Sequence, residues 1–422
     1  MLRLFPVAVV LVLLGALVPC AKADDAKPAD WPQFRGPNRD DRSPDKGLLK
    51  EWPKDGPPLA WKATGIGEGY SSVSVVGDKV FTMGDVGDSA FVFALSRDKG
   101  EKVWSTKVGK AGGDRGHLGT RSTPTVDGDR VYALGQFGDL VCLQVADGAD
   151  VWRKSLPDDF KGKIAFYKYT ESLLIDGDKL VCTPGGNNAI VALDKKSGDV
   201  IWKSDCEASP GYSSIVISNA GGVRQYVQLT QDGVVGVDAK DGKLLWKYAK
   251  LSQRMPLIPT PIILDDQIFC TGGYGKGGGL LTLSAVDGKM QVKEEYFTSK
   301  LTNKHGGAVQ VGDYIYADRD DSGRPWCVEW KTGQVKDDWL KGAADKSGRG
   351  SAAITYADGC LYVRYDNGYV ALVPATPEGY RETGVFKIRN STSQSWPHPV
   401  VIDGKLYLRE KDTLWVYDVK AK

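Results

Sequence analysis

The apolar positions of this chain fall in short runs separated by polar, glycine-rich turns, and the arrangement repeats. A turn leading into a strand occurs at Gly77-Asp78-Lys79-Val80, Gly128-Asp129-Arg130-Val131 and Gly177-Asp178-Lys179-Leu180. It returns at Asp265-Asp266, Gly312-Asp313, Asp358-Gly359 and Asp403-Gly404, with a longer variant at Gly221 to Tyr226. Gly and Asp suit these places because a tight hairpin needs positive φ, which they tolerate best. The first apolar residues after the turns lie 42 to 51 positions apart, which makes eight units of about 46 residues. A second landmark puts Gly four residues before Trp, at Gly100/Trp104, Gly148/Trp152, Gly198/Trp202 and Gly242/Trp246. In the next two units Gly288 leads to Val292 and Gly333 to Asp337, so the Trp signal decays. The Trp is a large plate suited to packing between neighbouring sheets.

Units of this length, each read as four short strands, predict an all-β fold, an eight-bladed β-propeller. The chain ends predict how the ring closes. Leu414-Trp415-Val416-Tyr417 is a third strand of the last unit, and no fourth follows before Lys422. Leu59-Ala60-Trp61-Lys62 resembles Leu244-Leu245-Trp246-Lys247, so residues 58–63 are expected to supply the missing outer strand. The propeller then spans 58–422. Residues 24–57 hold six Pro and little period, and read as an extended lead wrapping the propeller surface.

Composition changes this picture little. The chain has 51 Gly in 422 residues, about 12% against a usual level of roughly 7%, with 12 Trp, 18 Tyr and only 3 His. That mix suits strands and turns. The first 23 residues read as a signal peptide: Arg3, an apolar run from Leu4 to Val18, and Ala21-Lys22-Ala23 as the cleavage site. The run is too short to span a bilayer. Export to the periplasm or the extracellular space is therefore expected. Lipid anchoring at Cys20 is less favoured, because Pro19 precedes it. Without residues 1–23, Lys+Arg fall from 55 to 53 and match the 53 Asp+Glu. A neutral chain with no basic patch argues against nucleic acid. The six remaining cysteines lie mostly in apolar runs with no C-x-x-C pair, and read as small buried hydrophobes whose disulfide state is open.

The text Ala192-Leu193-Asp194-Lys195-Lys196-Ser197-Gly198 followed by Trp202 resembles the pyrroloquinoline quinone (PQQ) repeat. The segments Trp31-Pro32-Gln33-Phe34-Arg35-Gly36-Pro37 and Trp396-Pro397-His398-Pro399-Val400 resemble a secreted bacterial group of PQQ-like propellers. The resemblance implies a propeller related to quinoprotein alcohol dehydrogenases and to outer-membrane assembly propellers, which carry a similar repeat without a cofactor. The dehydrogenases hold PQQ with Ca²⁺ and carry a vicinal cysteine pair over the cofactor. This chain has no such pair.

Ligands of propellers gather at the axial funnel, so the innermost strands supply the candidate site. Eight residues before the regular landmarks lie Ser72, Thr123, Ser172, Thr260, Gly307, Ala353 and His398, nearly all small. Two positions earlier come Tyr70, Arg121, Thr170, Ile258, His305, Ser351 and Trp396, with Tyr212 the equivalent in the irregular fourth unit. The ligand candidates are Tyr70, Arg121, Tyr212, His305, Arg349, Trp396 and His398. Arg121, His305, Arg349 and His398 would give the mouth a cationic cast able to bind an anion. The three histidines share no ligand spacing, so no metal site is expected. Gly272 to Gly279 lacks the Ser/Thr and helix of a phosphate loop, and no catalytic Ser/His/Asp set is suggested. Asp318 to Gly323 reads as a solvent-facing hairpin turn. The reading is a monomeric, non-catalytic binding or scaffold module of the cell envelope, with an envelope protein or a small anionic or polar ligand as partner. The alternative is a PQQ-dependent oxidoreductase of alcohols or sugars.

Overall fold

Turn chemistry sets the strand ends in the computed structural model, which describes residues 29–114, 116–342, 346–391 and 394–422. The signal segment and Cys20 lie outside the described residues. Gly77, Gly128, Gly177 and Gly312 all take φ between 57° and 59°, and Asp265, Asp358 and Asp403 take the same left-handed place in their units. Each turn joins the innermost strand of a blade to the second. Eight antiparallel blades follow in chain order: 74–110, 125–155, 174–203, 216–248, 262–298, 309–329, 352–387 and 400–418. The fold is an eight-bladed β-propeller. Leu59–Thr64 pairs antiparallel with Thr413–Asp418 as the fourth strand of blade 8, so the ring closes as the sequence predicts. The sixth blade departs from four strands. It has three, and its outer side is met by Val335, which bridges to Val328, and by the short helix Asp337–Gly342 with Trp339 buried. Among the described residues no helix is long and apolar enough to cross a membrane.

The core is not inside the sheets but between them. Eight separate hydrophobic clusters each join one blade to the next, and the cluster of Val75, Phe93, Tyr407 and Val416 spans the closure between blades 8 and 1. The Gly and Trp landmarks belong to these interfaces. A Cβ at Gly100 would lie 2.5 Å from the ring of Trp61, one at Gly148 2.5 Å from Trp104, and one at Gly198 2.9 Å from Trp152. Trp61, Trp104, Trp152 and Trp202 therefore each cover the glycine of the following blade, whereas Trp246 leaves Gly288 uncovered. In three of them the indole N–H donates to the carbonyl three residues ahead of that glycine, Trp61 to Arg97, Trp104 to Val145 and Trp152 to Lys195, each at 3.1 Å, while Trp202 Nε1 has no partner among the described residues. The decayed signal has a substitute. Tyr296 covers Gly333 and its hydroxyl donates to Trp330 O at 2.9 Å, the same two contacts from a different plate.

The lead departs from its sequence reading in its first half. Residues 31–43 cross one end of the propeller axis, whereas Leu48 to Trp52 runs over the outer side of blades 7 and 8. Trp31 exchanges backbone bonds with Val75 of blade 1, and Pro32 O accepts from Val126 of blade 2. Arg39 donates to Ser172 O and Leu173 O of blade 3, and Arg35 to Ala308 O beside blade 6. Arg42–Ser43 adds a parallel strand to blade 7, and Asp41 Oδ2 stands 3.0 Å from His398 Nδ1 at blade 8. The innermost strands leave carbonyls at the channel end, and two buried arginines supply the donors that such carbonyls require. Two smaller readings also change. Asp318 is fully buried and not part of a solvent-facing turn, because Asn303 Nδ2 donates to its carboxylate. The glycines of 272–279 lie mostly in paired strands of blade 5 around the turn 273–276. All six described cysteines are buried free thiols within the interfaces.

Two outcomes follow from this packing. Trp104→Ala should lower unfolding free energy by about 3–5 kcal/mol in a denaturant titration, because it empties a filled interface. Deleting residues 24–63 should lower the thermal midpoint of the whole propeller as one transition; an unchanged midpoint would show that the closing strand does not hold the ring.

Candidate functional site

Closing eight innermost strands around one axis leaves room only for small side chains, and the chain uses hydroxyls there. Ser72 N donates to Thr123 Oγ1 at 3.1 Å, Thr123 N to Ser172 Oγ at 3.0 Å, Ser172 N to Ser214 Oγ at 3.0 Å, and Ser214 N to Thr260 Oγ1 at 3.4 Å. Ser72 Oγ continues the collar by donating to His398 O at 2.7 Å. Each bond ties one blade to its neighbour, so these small residues serve both crowding and cohesion. Above the collar lies a cavity of about 390 Å³ on the axis. Phe34 and Arg35 of the lead form its floor together with Gly307 and His398.

Of the sequence candidates, Tyr70, Arg121, Tyr212, His305, Trp396 and His398 line this cavity. Tyr70, Trp396 and His305 form one stack, with ring centroids 4.9 Å and 4.4 Å apart. Tyr212 packs edge-on against Tyr167 and its hydroxyl accepts from Tyr167 N at 3.2 Å. Arg349 does not belong. It is exposed, outside the cavity, and its backbone N–H donates to Asn367 Oδ1 at 3.1 Å. His398 lies not at the mouth but at the floor, 4.9 Å from Phe34 and paired with Asp41. The four predicted cations thus do not converge on one end.

The expected cationic cast is also weaker at the mouth. Arg121 spends its guanidinium on Gly119 O at 2.7 Å and His117 O at 2.5 Å, closing its own loop, and burial lowers its pKa. His305 holds Ser351 Oγ at 2.7 Å through Nδ1, and burial with the nearby Lys304 charge pushes its pKa down to about 3. It is a neutral ring near pH 7. Sequence reasoning missed Phe34, Arg35, His117, Tyr167 and Tyr274. His117 and Tyr167 come from loops between blades, with His117 Nδ1 3.2 Å from Gln394 Oε1 and Tyr70 O–H donating to the same oxygen at 3.0 Å. Only the Trp31 to Pro37 text had drawn attention to two of them, and nothing in it signalled a cavity floor.

The donor set can be tested against a calcium-bound quinone. No described residue lining the cavity is Asp or Glu, and among the described residues no cluster of three His, Cys, Asp or Glu could hold a metal. Ca²⁺ takes oxygen ligands that usually include carboxylates, so the cavity does not fit that group.

Beside the floor, Glu171 is buried, with Thr183 N donating to its carboxylate at 2.7 Å. Burial raises its pKa from 4.5 to about 7, against the lowering pull of Thr183 and the Arg39 charge. The folded state thus binds this proton more tightly than the unfolded chain. Its stabilising effect is full below pH 4.5 and is lost as pH rises through about 7. Relative to Glu171→Gln, the native chain should lose on the order of 3 kcal/mol between those limits, measured by denaturant titration across the pH range.

Comparison with known proteins agrees with this architecture. The outer membrane protein assembly factor BamB of Moranella endobia is 23% identical over 199 residues, 45% of this chain and 45% of that protein. The chain spans about half the length, or less, of the curated relatives it matches first. The crystal structure of BamB from Moraxella catarrhalis superposes with a TM-score of 0.60 at 15% identity, over 86% of this chain and 98% of that one. Quinohemoprotein alcohol dehydrogenase from Comamonas testosteroni gives 0.61 at 12% identity, over 94% and 82%. Such low identities bear on fold alone. A family model described as outer membrane protein assembly factor BamB matches residues 88–339, well over half the chain, and the chain belongs to this family of PQQ-like propellers.

Proposed function

We propose that the chain is exported and acts in the cell envelope as a non-catalytic binding or scaffold propeller that docks a protein on the rim of its axial cavity. The observation that carries this reading is the apolar character of that rim. Leu118, Ile164 and Met255 are 53%, 42% and 46% exposed, on three separate loops that also bring His117, Tyr167 and Met255 to the cavity. Large apolar side chains gathered at one end of a closed ring mark an interaction surface more often than chance exposure. The curated relatives named as outer membrane assembly factors support an envelope setting, and residues 1–23 support export.

The test places a photo-crosslinking amino acid at Leu118 or Met255, and at Val103 on an outer strand as control. Expected are a mature N-terminus at Asp24 in an envelope fraction, and a protein adduct from the rim positions only. Adducts of equal yield from Val103, or none from the rim, would overturn the docking surface. Dye reduction by the purified chain with PQQ, Ca²⁺ and an alcohol would instead establish the quinoprotein reading.

A further inference from the structure

We propose that the axial cavity binds a small carboxylate carried on an aromatic or compact apolar body, without a metal ion. This goes beyond the docking surface on the rim and does not depend on it.

The lower wall is rich in O–H and N–H donors that no protein group among the described residues takes up. Thr123, Ser172, Ser214 and Thr260 each use their oxygen to accept a backbone N–H from the neighbouring blade. No hydrogen bond among the described residues takes up their own four protons, and all four side chains line the cavity. A hydroxyl whose oxygen is engaged in this way still has one O–H to give. Arg35 adds a charged donor at the floor. Its Nε pairs with Asp41 at 3.1 Å and its Nη2 donates to Ala308 O at 2.7 Å, while Nη1 has no protein partner although the side chain is only 1% exposed. That unpaired nitrogen stands against Gly307, where a Cβ would come within 2.5 Å of it. Gly307 takes φ of +64°, so the residue keeps the space over the guanidinium open in a backbone state that disfavours side chains. A buried guanidinium N–H without an acceptor is costly. The described lining holds no Asp, Glu, Asn or Gln to relieve it.

The ligand must therefore bring the acceptors. A carboxylate is a good match: it accepts only, and it can take the free O–H groups together with Arg35 Nη1, whose guanidinium already pairs with Asp41 through Nε. The rest of the wall selects the body. Phe34, Tyr212, Ile258, Pro256 and Pro259 surround the space with rings and aliphatic surface, which favours an apolar frame.

The experiment is calorimetry of the full chain in EDTA with 2-naphthoate and its uncharged isostere 2-naphthamide. The acid should bind, and the amide at least tenfold more weakly. Ile258→Trp, which fills the cavity from a half-buried position away from the collar, should weaken the acid more than tenfold with the thermal midpoint unchanged. Arg35→Met should erase the preference for acid over amide; if that variant does not fold, the ligand pair and Ile258→Trp still decide. Equal binding of acid and amide, no binding of either, undiminished binding by Ile258→Trp, or a requirement for Ca²⁺ would each overturn the proposal.

Discussion

Everything in this molecule depends on the contact between one blade and the next. A four-stranded sheet with two apolar faces cannot bury both alone, and here each face is completed by a neighbour. The eight clusters of the core are eight interfaces, and the Trp or Tyr plate with its glycine is the device shared by five of them. The plate needs a glycine beneath it because a methyl group would occupy the volume of the ring. At four of these junctions a fixed carbonyl, three residues ahead of that glycine, also takes the plate's N–H or O–H without water. One geometry thus supplies both apolar burial and polar satisfaction.

A ring built on such contacts has no natural end, so its closure must look like every other junction. Trp61 provides this, since it covers Gly100 and bonds Arg97 O just as Trp104 treats the following blade. The loop after it is held from the last blade. Asp412 accepts from Gly65 N at 3.0 Å and Gly67 N at 2.5 Å, and Arg409 donates to Gly67 O at 2.8 Å and Thr82 Oγ1 at 2.6 Å. Arg409 is fully buried with no carboxylate among the described residues paired to it, and carbonyl and hydroxyl oxygens carry its solvation. Burial lowers its pKa to about 10, still far above neutrality, so the charge remains.

These devices explain what the sequence could reveal. Turns with Gly or Asp at positive φ are local, so their spacing yields eight units directly. The closing strand was legible because Trp61 obeys the same local rule as Trp246. The partner of each plate was not legible. The Trp was read as packing between neighbouring sheets, and it does, but the glycine it covers lies about 46 residues on, in the next unit, where no local text names it. Tyr296 escaped for the same reason, since its role is defined by Gly333 in another blade. The axial residues were found by counting along strands, which places Tyr70, Arg121, His305 and Trp396 correctly because strand register is conserved between blades. Counting failed at Arg349, which precedes its strand in an exposed connection, and it could not foresee that burial makes His305 neutral.

The lead is where local reasoning had least to work with and where the site acquires its chemistry. Six prolines and no period describe a segment without secondary structure, and such a segment takes its shape from what it meets. Here it meets the carbonyl ends of innermost strands, which explains Arg35 and Arg39, and an aromatic wall at His398, which explains Phe34. The two texts that look alike at opposite ends of the chain, Trp31 to Pro37 and Trp396 to Val400, are therefore one structural unit. Phe34 packs on His398, and Asp41 pairs with both Arg35 and His398. A plugged channel is a blind cavity, and a blind cavity with a guanidinium at its base has a polarity that an open one would lack. The segment that seals the axis also gives the cavity floor a fully buried arginine nitrogen with no protein acceptor among the described residues.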